Sequence, residues 1–368
     1  MASAEISASA KTASAGSPQK KKKKFGLVLQ GGGALGAYEA GAIKCLYERD
    51  MECTIVAGAS SGALNAVTLA AAKTDPPKAL SDMWTAFGTP KLPLPGPIEH
   101  YWALSGVPHM YKPRLDYWRL PTWTYVAENT PLKEMLERLD WDQVRDSQHM
   151  RVFVSASDVE NGETAYFSNL PPDKLPGPEY PAVLFGVEHV AASGSFPGGL
   201  PWTVIKDRPY FDGGLTDNTP LHPVIDNLTP AEAETMPIYV IDVNTAAEPK
   251  LPTNLLEVEL RAFEMLLQNN LQTDTHRAKS YGRFISLLKQ VDGILKKVPP
   301  SQRSGPLADL LDLKGTADWD HAMKYDPVRH VHAVDIKKPP GETPFDFAPE
   351  SIERRLREGY DQMCRYLG

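Results

Sequence analysis

The sequence has no run of about 20 apolar residues, so it predicts no helix that crosses a lipid bilayer. Residues 1–19 are rich in alanine and serine but lack the apolar core of a secretory signal. The three cysteines, Cys45, Cys53 and Cys364, fit neither a disulfide framework nor a metal-binding pattern. We therefore expect Cys45 and Cys53 to be buried thiols, no metal or other cofactor, and a cytoplasmic protein with peripheral membrane contact.

A basic surface for nucleic acid is also missing, because the formal net charge is −7. Residues 1–24 hold six lysines and one glutamate, so the rest of the chain is more acidic than the total suggests. An acidic body argues against a nucleic-acid partner. The low-complexity segment 1–24 is predicted to be a disordered tail. Its Lys20–Lys24 run is either simply solvated, which we favour, or a weak tether to anionic lipid.

The most informative stretch is Gly58-Ala59-Ser60-Ser61-Gly62. An apolar run precedes it and an alanine- and leucine-rich stretch follows it, which predicts a strand, a sharp turn and a helix. A serine at the centre of G-x-S-x-G in this context is a nucleophile elbow, and the flanking Gly58 and Gly62 leave room for the tight turn. Ser60 is therefore a candidate nucleophile that still needs a base.

A second motif, Gly31-Gly32-Gly33-Ala34-Leu35-Gly36, links a predicted strand to a helix. Such a turn presents backbone N–H groups to an anion. A dinucleotide site would need an acid at the end of the next strand, but Asp50 precedes that strand; a phosphate-binding loop would need Gly-Lys-Ser/Thr, which is absent. An oxyanion hole fits best, because the next predicted strand ends in the elbow.

The candidate base is Asp212, which follows an apolar segment and precedes Gly213 and Gly214. Alone, this triplet is an ordinary turn signal; together with the elbow and the Gly-rich turn, it predicts the general base. A Ser–His–Asp arrangement would need a late histidine. None of His222, His276, His321, His330 and His332 lies in a supporting motif, so we prefer a Ser–Asp dyad, with His222 second. Two rival nucleophiles, Ser193 and Ser195, are interpreted as turn and cap residues.

Residues 88–126 form a long segment rich in proline and aromatic residues, without a sustained period. It is interpreted equally well as a lid or acyl-chain entrance that touches lipid, or as a loop whose aromatic residues pack on the body. The predicted strands elsewhere are 25–30, 151–156 with its partner 165–167, 237–243 and 328–336. The predicted C-terminal helices are 254–298 and Pro349–Leu367.

These motifs resemble the patatin-like phospholipase family in their order and separation. The resemblance rests on the Gly31–Gly36 turn, the Gly58–Gly62 elbow, the Asp212–Gly214 triplet and the segment Ala191–Pro197, and it covers roughly residues 25–245. It implies a three-layer α/β/α sandwich with a mostly parallel sheet. It also implies that Ser60 is the nucleophile, Asp212 the base, and the backbone of Gly31, Gly32 and Gly33 the oxyanion hole.

Two positions depart from the family pattern: many members carry an acid where Gln30 stands and a basic residue where Leu35 stands. We expect a catalytic domain at 25–245, with the insertion at 88–126, and a mainly helical region at 246–368 packed on the same domain.

The predicted function is hydrolysis of lipid acyl esters through a Ser–Asp dyad and an acyl-enzyme, as in phospholipases A and lysophospholipases. The alternatives are an esterase or thioesterase acting on soluble acyl compounds, and a catalytically silent lipid-binding protein. The predicted partners are a lipid or other acyl-ester substrate and, transiently, a membrane surface.

Overall fold

The computed structural model describes residues 22–90, 106–244, 251–252, 286–302, 304–313, 330–339 and 342–368, with single positions between 258 and 319. Residues 1–21 of the predicted tail, residues 91–105 of the insertion and most of the predicted helix 254–298 therefore lie outside the described residues. Strand β1 begins at Lys23, two residues earlier than predicted, so the last two lysines of the basic run belong to the sheet.

The secondary structure alternates strands and helices through most of the chain. The strands are β1 Lys23–Leu29, β2 Met51–Gly58, β3 Lys112–Pro113, β4 Ala127–Glu128, β5 Arg151–Asp158, β6 Thr164–Ser168, β7 Thr203–Ile205, β8 Arg208–Asp212, β9 Ile238–Asp242 and β10 Val331–Asp335. The helices are α1 Gly36–Glu48, α2 Ser61–Ala71, α3 Pro76–Ala86, α4 Thr130–Leu136, α5 Trp141–Arg145, α6 Val187–Ser193, α7 Leu221–Asp226, α8 Pro230–Thr235, α9 Pro306–Leu313 and α10 Pro349–Leu367. Residues 286–295 are also helical.

Eight strands form one mixed sheet in the order β10-β9-β1-β2-β5-β8-β7, with β6 paired to β5. The five strands from β10 to β5 run parallel to one another, whereas β6, β7 and β8 join by antiparallel pairing. Near-continuous apolar runs suit such a parallel centre, because helices cover both of its faces. The sequence-based prediction of a mostly parallel α/β/α sheet is confirmed.

Alternation along β1 separates the two faces of the sheet. Leu27 and Leu29 point to one side and belong to a core that includes Tyr38 of α1. Val28 points to the other side and packs in a second core with Val224 of α7. All five of these side chains are fully buried, so solvent does not reach them in either core. The sheet is therefore the middle layer of three.

The ends of β2 and β8 meet along one edge of β5. The end of β2 pairs with β5 at Gly58–Val154, and the end of β8 pairs with β5 at Asp212–Ala156. Strand β6 occupies the opposite edge of β5 over the same stretch. Because β2 runs parallel to β5 and β8 antiparallel to it, the two strands point at each other. Residues that follow β2 must therefore lie close to the end of β8.

The C-terminal part completes this body. Strand β10 extends the sheet beyond β9, and α10, whose bounds match the predicted closing helix, packs against α1. None of the helices in the described ranges is long and apolar enough to span a membrane.

The prediction of free thiols is wrong for Cys45, which forms a disulfide with Cys364 across a sequence separation of 319 residues. The pair was missed because only the packing of α10 on α1 brings the two cysteines together. Cys53 remains a free, buried thiol, and burial raises its pKa.

Candidate active site

Ser60 occupies the turn between β2 and α2. Its backbone lies at φ 51° and ψ −119°, a conformation that is strained for a residue with a side chain. The neighbouring glycines make this turn feasible. A Cβ atom on Gly58 would lie 2.4 Å from the Gly62 carbonyl, and one on Gly62 would lie 2.4 Å from the Leu29 oxygen. The predicted elbow is therefore present, and its glycines are required by close backbone approach.

Asp212 ends β8 and is almost completely buried. One carboxylate oxygen, Oδ1, accepts the Gly214 N–H at 2.8 Å. Burial raises the pKa of Asp212 to about 6, while hydrogen bonds from the Gly214 N–H and the Ser60 side chain act in the opposite direction. The structure thus brings Ser60 and Asp212 together, as the end-to-end meeting of β2 and β8 requires.

The backbone of Asp212 is also held on both sides. Its N–H donates to the Ser195 carbonyl at 2.9 Å, and its carbonyl accepts the Ser157 hydroxyl at 2.7 Å. The Ser195 hydroxyl donates to the Ala191 carbonyl at 2.8 Å and contacts Thr203, so Ser195 has the structural role predicted for it.

Ser193, interpreted from the sequence as a turn or cap residue, is the last residue of α6 and has a contact with the elbow that the sequence did not predict. It is fully buried, and its Oγ accepts the Ser60 backbone N–H at 2.9 Å. This contact ties the nucleophile elbow to α6 and helps to hold its strained backbone. The one signal in the sequence was the segment Ala191–Pro197, which resembles the family without revealing which atom it contacts.

The N–H groups of the Gly-rich turn are unequally available. The Gly31 N–H donates to the Asn218 carbonyl at 3.3 Å, and the Gly32 N–H donates to the Ser61 hydroxyl at 3.0 Å. The Gly33 N–H has no acceptor among the residues that the structure describes. A hydroxyl can rotate away more easily than a backbone carbonyl can move. The Gly33 and Gly32 N–H groups are therefore more available to an anion than the Gly31 N–H, which is bonded to the Asn218 carbonyl.

Two asparagines outside the predicted motifs hold this turn in place. Asn218 and Asn244 both donate side-chain N–H groups to the Gly31 carbonyl, at 3.1 and 2.7 Å. Both side chains are buried. The two bonds fix the peptide plane that precedes Gly32, which determines the direction of the Gly32 N–H.

Gln30, which precedes the turn, and Leu35, which lies within it, are the two positions that depart from the family pattern, and both are buried. Gln30 accepts the N–H groups of Val243 and Asn244 and donates to the Thr219 hydroxyl at 3.1 Å. A carboxylate at this position could not donate to Thr219. Leu35 packs in the main core.

Beneath the turn lies a buried acid, Glu39. Its two oxygens accept the Gln30 backbone N–H at 2.6 Å and the Asn65 amide at 2.8 Å. Burial raises its pKa well above the usual range, and these two hydrogen bonds oppose that shift. Because Asn65 also accepts the Trp84 indole N–H, the network joins the turn to α2 and α3.

The second-choice base, His222, lies at the start of α7 and is exposed. Burial raises the pKa of Asp217, and hydrogen bonds from Tyr166 and the Thr219 N–H, together with a weaker electrostatic interaction with His222, act against that shift. The structure therefore places His222 beside Asp217.

A strained serine between strand and helix, bonded to a buried carboxylate and flanked by a Gly-rich turn, defines an α/β protein with a serine-hydrolase type of site. A sequence profile of the patatin-like phospholipase family matches residues 27–225, more than half of the chain. The chain belongs to the patatin-like phospholipase family, and this membership implies lipid acyl hydrolase activity.

Two further comparisons give less detail. Among solved structures, the chain is similar to VipD from Legionella pneumophila, with 16% identity and a TM-score of 0.40, over 94% of this chain and 67% of that one. A search of curated proteins returned no match.

Proposed function

We propose that this protein hydrolyses acyl esters of lipids through a Ser60–Asp212 dyad and an acyl-enzyme intermediate. The observation that carries the proposal is the buried Asp212 carboxylate, which accepts a hydrogen bond from Ser60 at a strained elbow. A base with a pKa near 6 is better matched to neutral pH than an ordinary aspartate.

In the first half-reaction, the Ser60 Oγ attacks the ester carbonyl while its proton passes to Asp212. The carbonyl oxygen becomes an oxyanion, which the N–H groups of Gly32 and Gly33 stabilise. For Gly32, this requires that the Ser61 hydroxyl gives up its bond. The tetrahedral intermediate then collapses, the ester C–O bond breaks, and the proton returns from Asp212 to the leaving alcohol.

In the second half-reaction, water attacks the acyl-enzyme and Asp212 accepts one of its protons. A second tetrahedral intermediate uses the same donors. Its collapse releases the fatty acid and returns the proton to the Ser60 oxygen. Each atom and proton is accounted for by the chain, the ester and one water, so the scheme requires no metal or other cofactor.

Contact with the lipid surface is assigned to an exposed part of the insertion, residues 115–120, called here the apolar tip. Four side chains there are strongly exposed: Leu115 (70%), Tyr117 (63%), Trp118 (81%) and Leu120 (57%). Aromatic residues of this kind favour the boundary between water and acyl chains. The end of the insertion is joined to the loop that follows α6, because the N–H groups of Val126 and the adjacent Ala127 donate to the Gly198 and Gly199 carbonyls, at 3.0 and 2.9 Å.

Tyr111 of the insertion packs against the main core. Within the insertion, the Arg114 guanidinium lies 4.5 Å from the Trp123 ring centroid and 4.6 Å from that of Tyr125. We therefore propose that the apolar tip alone meets lipid, while other aromatic residues of the insertion serve packing.

A cytoplasmic location stays a prediction, and the Cys45–Cys364 disulfide counts against it, because disulfides persist mainly in oxidising compartments.

The test compares Ser60→Ala and Asp212→Asn with the wild type on phospholipid micelles and on a soluble acyl ester. Both variants should lose hydrolysis of both substrates while keeping the wild-type circular dichroism spectrum. Ser81→Ala and Asp82→Asn on the outer helix α3 are the matched controls and should retain full activity. Wild-type activity on the soluble ester alone would instead favour an esterase. A folded wild type that binds lipid but hydrolyses nothing would favour a silent lipid-binding protein.

A further inference from the structure

The C-terminal segment, which lies beyond the family match, contacts the Gly-rich turn directly. The carbonyl of Pro344 accepts the Ala34 N–H at 2.8 Å. The same oxygen lies against Gly33, since a Cβ atom built on Gly33 would come within 2.5 Å of it. Gly33 is at φ +54°, a conformation that favours glycine. Residues 342–348, called here the strap, therefore form one wall of the turn that carries the Gly33 N–H.

Arg355 of α10 holds the strap in position. Its guanidinium is fully buried. One nitrogen, Nη2, donates to Glu342 at 2.6 Å and to the Thr343 carbonyl at 3.2 Å. The other, Nη1, donates to the Asp346 carbonyl and, at 3.4 Å, to the Ala34 carbonyl. One side chain thus connects both ends of the strap to the Gly-rich turn.

The charge of Arg355 is balanced by Glu342, whose side chain is only 4% exposed. Burial alone would raise the pKa of Glu342, but the hydrogen bond from Arg354 and the charge of Arg355 lower it to about 2. The Tyr38 hydroxyl of α1 donates a further hydrogen bond to Glu342 at 2.6 Å. The cluster is therefore ionised at neutral pH and bonded to both helices.

Helix α10 has little freedom to move relative to α1. The two helices touch through backbone: a Cβ on Gly41 would lie 2.0 Å from the Leu356 oxygen, and the Cys45–Cys364 disulfide joins their far ends. Such close helix packing can keep the strap in position to within a fraction of an ångström, and an oxyanion hole needs donors placed with that precision.

We propose that Arg355 is a positioning residue for the oxyanion hole, because it presses the Pro344 carbonyl against Gly33 and Ala34. The bond from the Ala34 N–H fixes the peptide that follows Gly33 and keeps Gly33 at its positive φ. Loss of this support lets the Gly33 N–H turn away from the developing oxyanion. The inference rests on the proposed function, since it assigns a support to the same site.

The test uses Arg355→Gln, with Arg354→Gln as its matched control. Both arginines bond Glu342. Arg355 also donates to the Thr343, Asp346 and Ala34 carbonyls, whereas the other described bonds of Arg354 go to Tyr38 and Glu358. The assays are ester hydrolysis and inhibition by an alkyl trifluoromethyl ketone, which forms an oxyanion when Ser60 adds to it. Arg355→Gln should lower kcat and the affinity for the inhibitor by a similar factor, roughly 10- to 100-fold, while KM stays within threefold of the wild type. Arg354→Gln should leave both kcat and inhibitor affinity within threefold of the wild type.

A second variant, Pro344→Gly, covers the case in which Arg355→Gln does not fold. It keeps the strap carbonyl at a partly exposed position but frees its backbone, so it should show a smaller parallel loss of kcat and inhibitor affinity. The inference is overturned if folded Arg355→Gln, or Pro344→Gly where that variant alone folds, keeps wild-type kcat and inhibitor affinity. Failure of the proposed function looks different: the wild type itself would neither hydrolyse esters nor bind the ketone.

Discussion

Asp212 combines proximity to Ser60 with burial, and the burial has two measurable effects. The carboxylate must be ionised to accept the Ser60 proton, and its pKa is about 6. We therefore predict that kcat/KM for a soluble ester rises tenfold per pH unit below about pH 6 and levels above it. A pH profile between 4.5 and 8 measures this. A profile that is flat down to pH 4.5 would contradict the role of Asp212.

The same burial makes ionised Asp212 a source of instability. Its folded pKa of about 6 lies above the ordinary value of 3.8, so the folded protein binds this proton more tightly than the unfolded chain does. The destabilisation is full above about pH 6 and disappears below about pH 4. Asp212→Asn should therefore raise the free energy of unfolding at pH 7.5 by about 1–3 kcal/mol, with a smaller gain at pH 4. Urea unfolding at both pH values measures it, and a loss of stability at pH 7.5 would refute the argument.

Single residues also show how far the sequence could be read. The turns at Ser60 and after Asp212 could be located from their glycines, because a tight turn imposes a local spacing on the residues that form it. Ser193, Asn218 and Arg355 could not, since each acts through a contact with a residue more than a hundred positions away. Their residue types are ordinary, and only the packing gives them a role.

At the scale of elements, the site depends on where strands end. The sequence indicated the strands and their apolar runs, but not that β2 and β8 approach one edge of β5 from opposite directions. That arrangement follows from the antiparallel pairing of β8, which has no local signature. It accounts for the approach of Ser60 to Asp212, which are separated by about 150 residues in the chain.

The α1–α10 pair gives a prediction about stability. The Cys45–Cys364 disulfide closes most of the chain into one loop, which restricts the unfolded state. Cys364→Ser should lower the free energy of unfolding by about 2–5 kcal/mol. Reductant should destabilise the wild type by a similar amount and leave Cys364→Ser unchanged, which serves as the control. Equal stability of oxidised and reduced wild type would show that the bridge contributes nothing.

At the scale of the whole molecule, the proposed lipid contact is confined to the apolar tip of the insertion. The insertion is bonded to the loop before β7, whereas β10 is the edge strand that the C-terminal part of the chain adds beyond β9. We predict that Trp118→Ala lowers activity on phospholipid vesicles several-fold and leaves activity on a monomeric soluble ester unchanged. Vesicle sedimentation should show weaker binding.

The matched control for the apolar tip is Tyr366→Ala. This residue is also aromatic and partly exposed, but it lies outside the insertion and contacts His332 on the edge strand β10. Its loss should change neither vesicle binding nor vesicle hydrolysis. Equal effects of the two substitutions would show that the apolar tip has no special part in lipid contact.

The most direct test of the dyad is to locate the acyl group during turnover. The wild type is mixed with a rapidly acylating ester, quenched in acid within milliseconds, digested and mapped by mass spectrometry. The proposed mechanism predicts an acyl adduct on the peptide that contains Ser60, no adduct in Ser60→Ala, and much slower adduct formation in Asp212→Asn. An adduct on Ser193, or continued hydrolysis by Ser60→Ala, would contradict it.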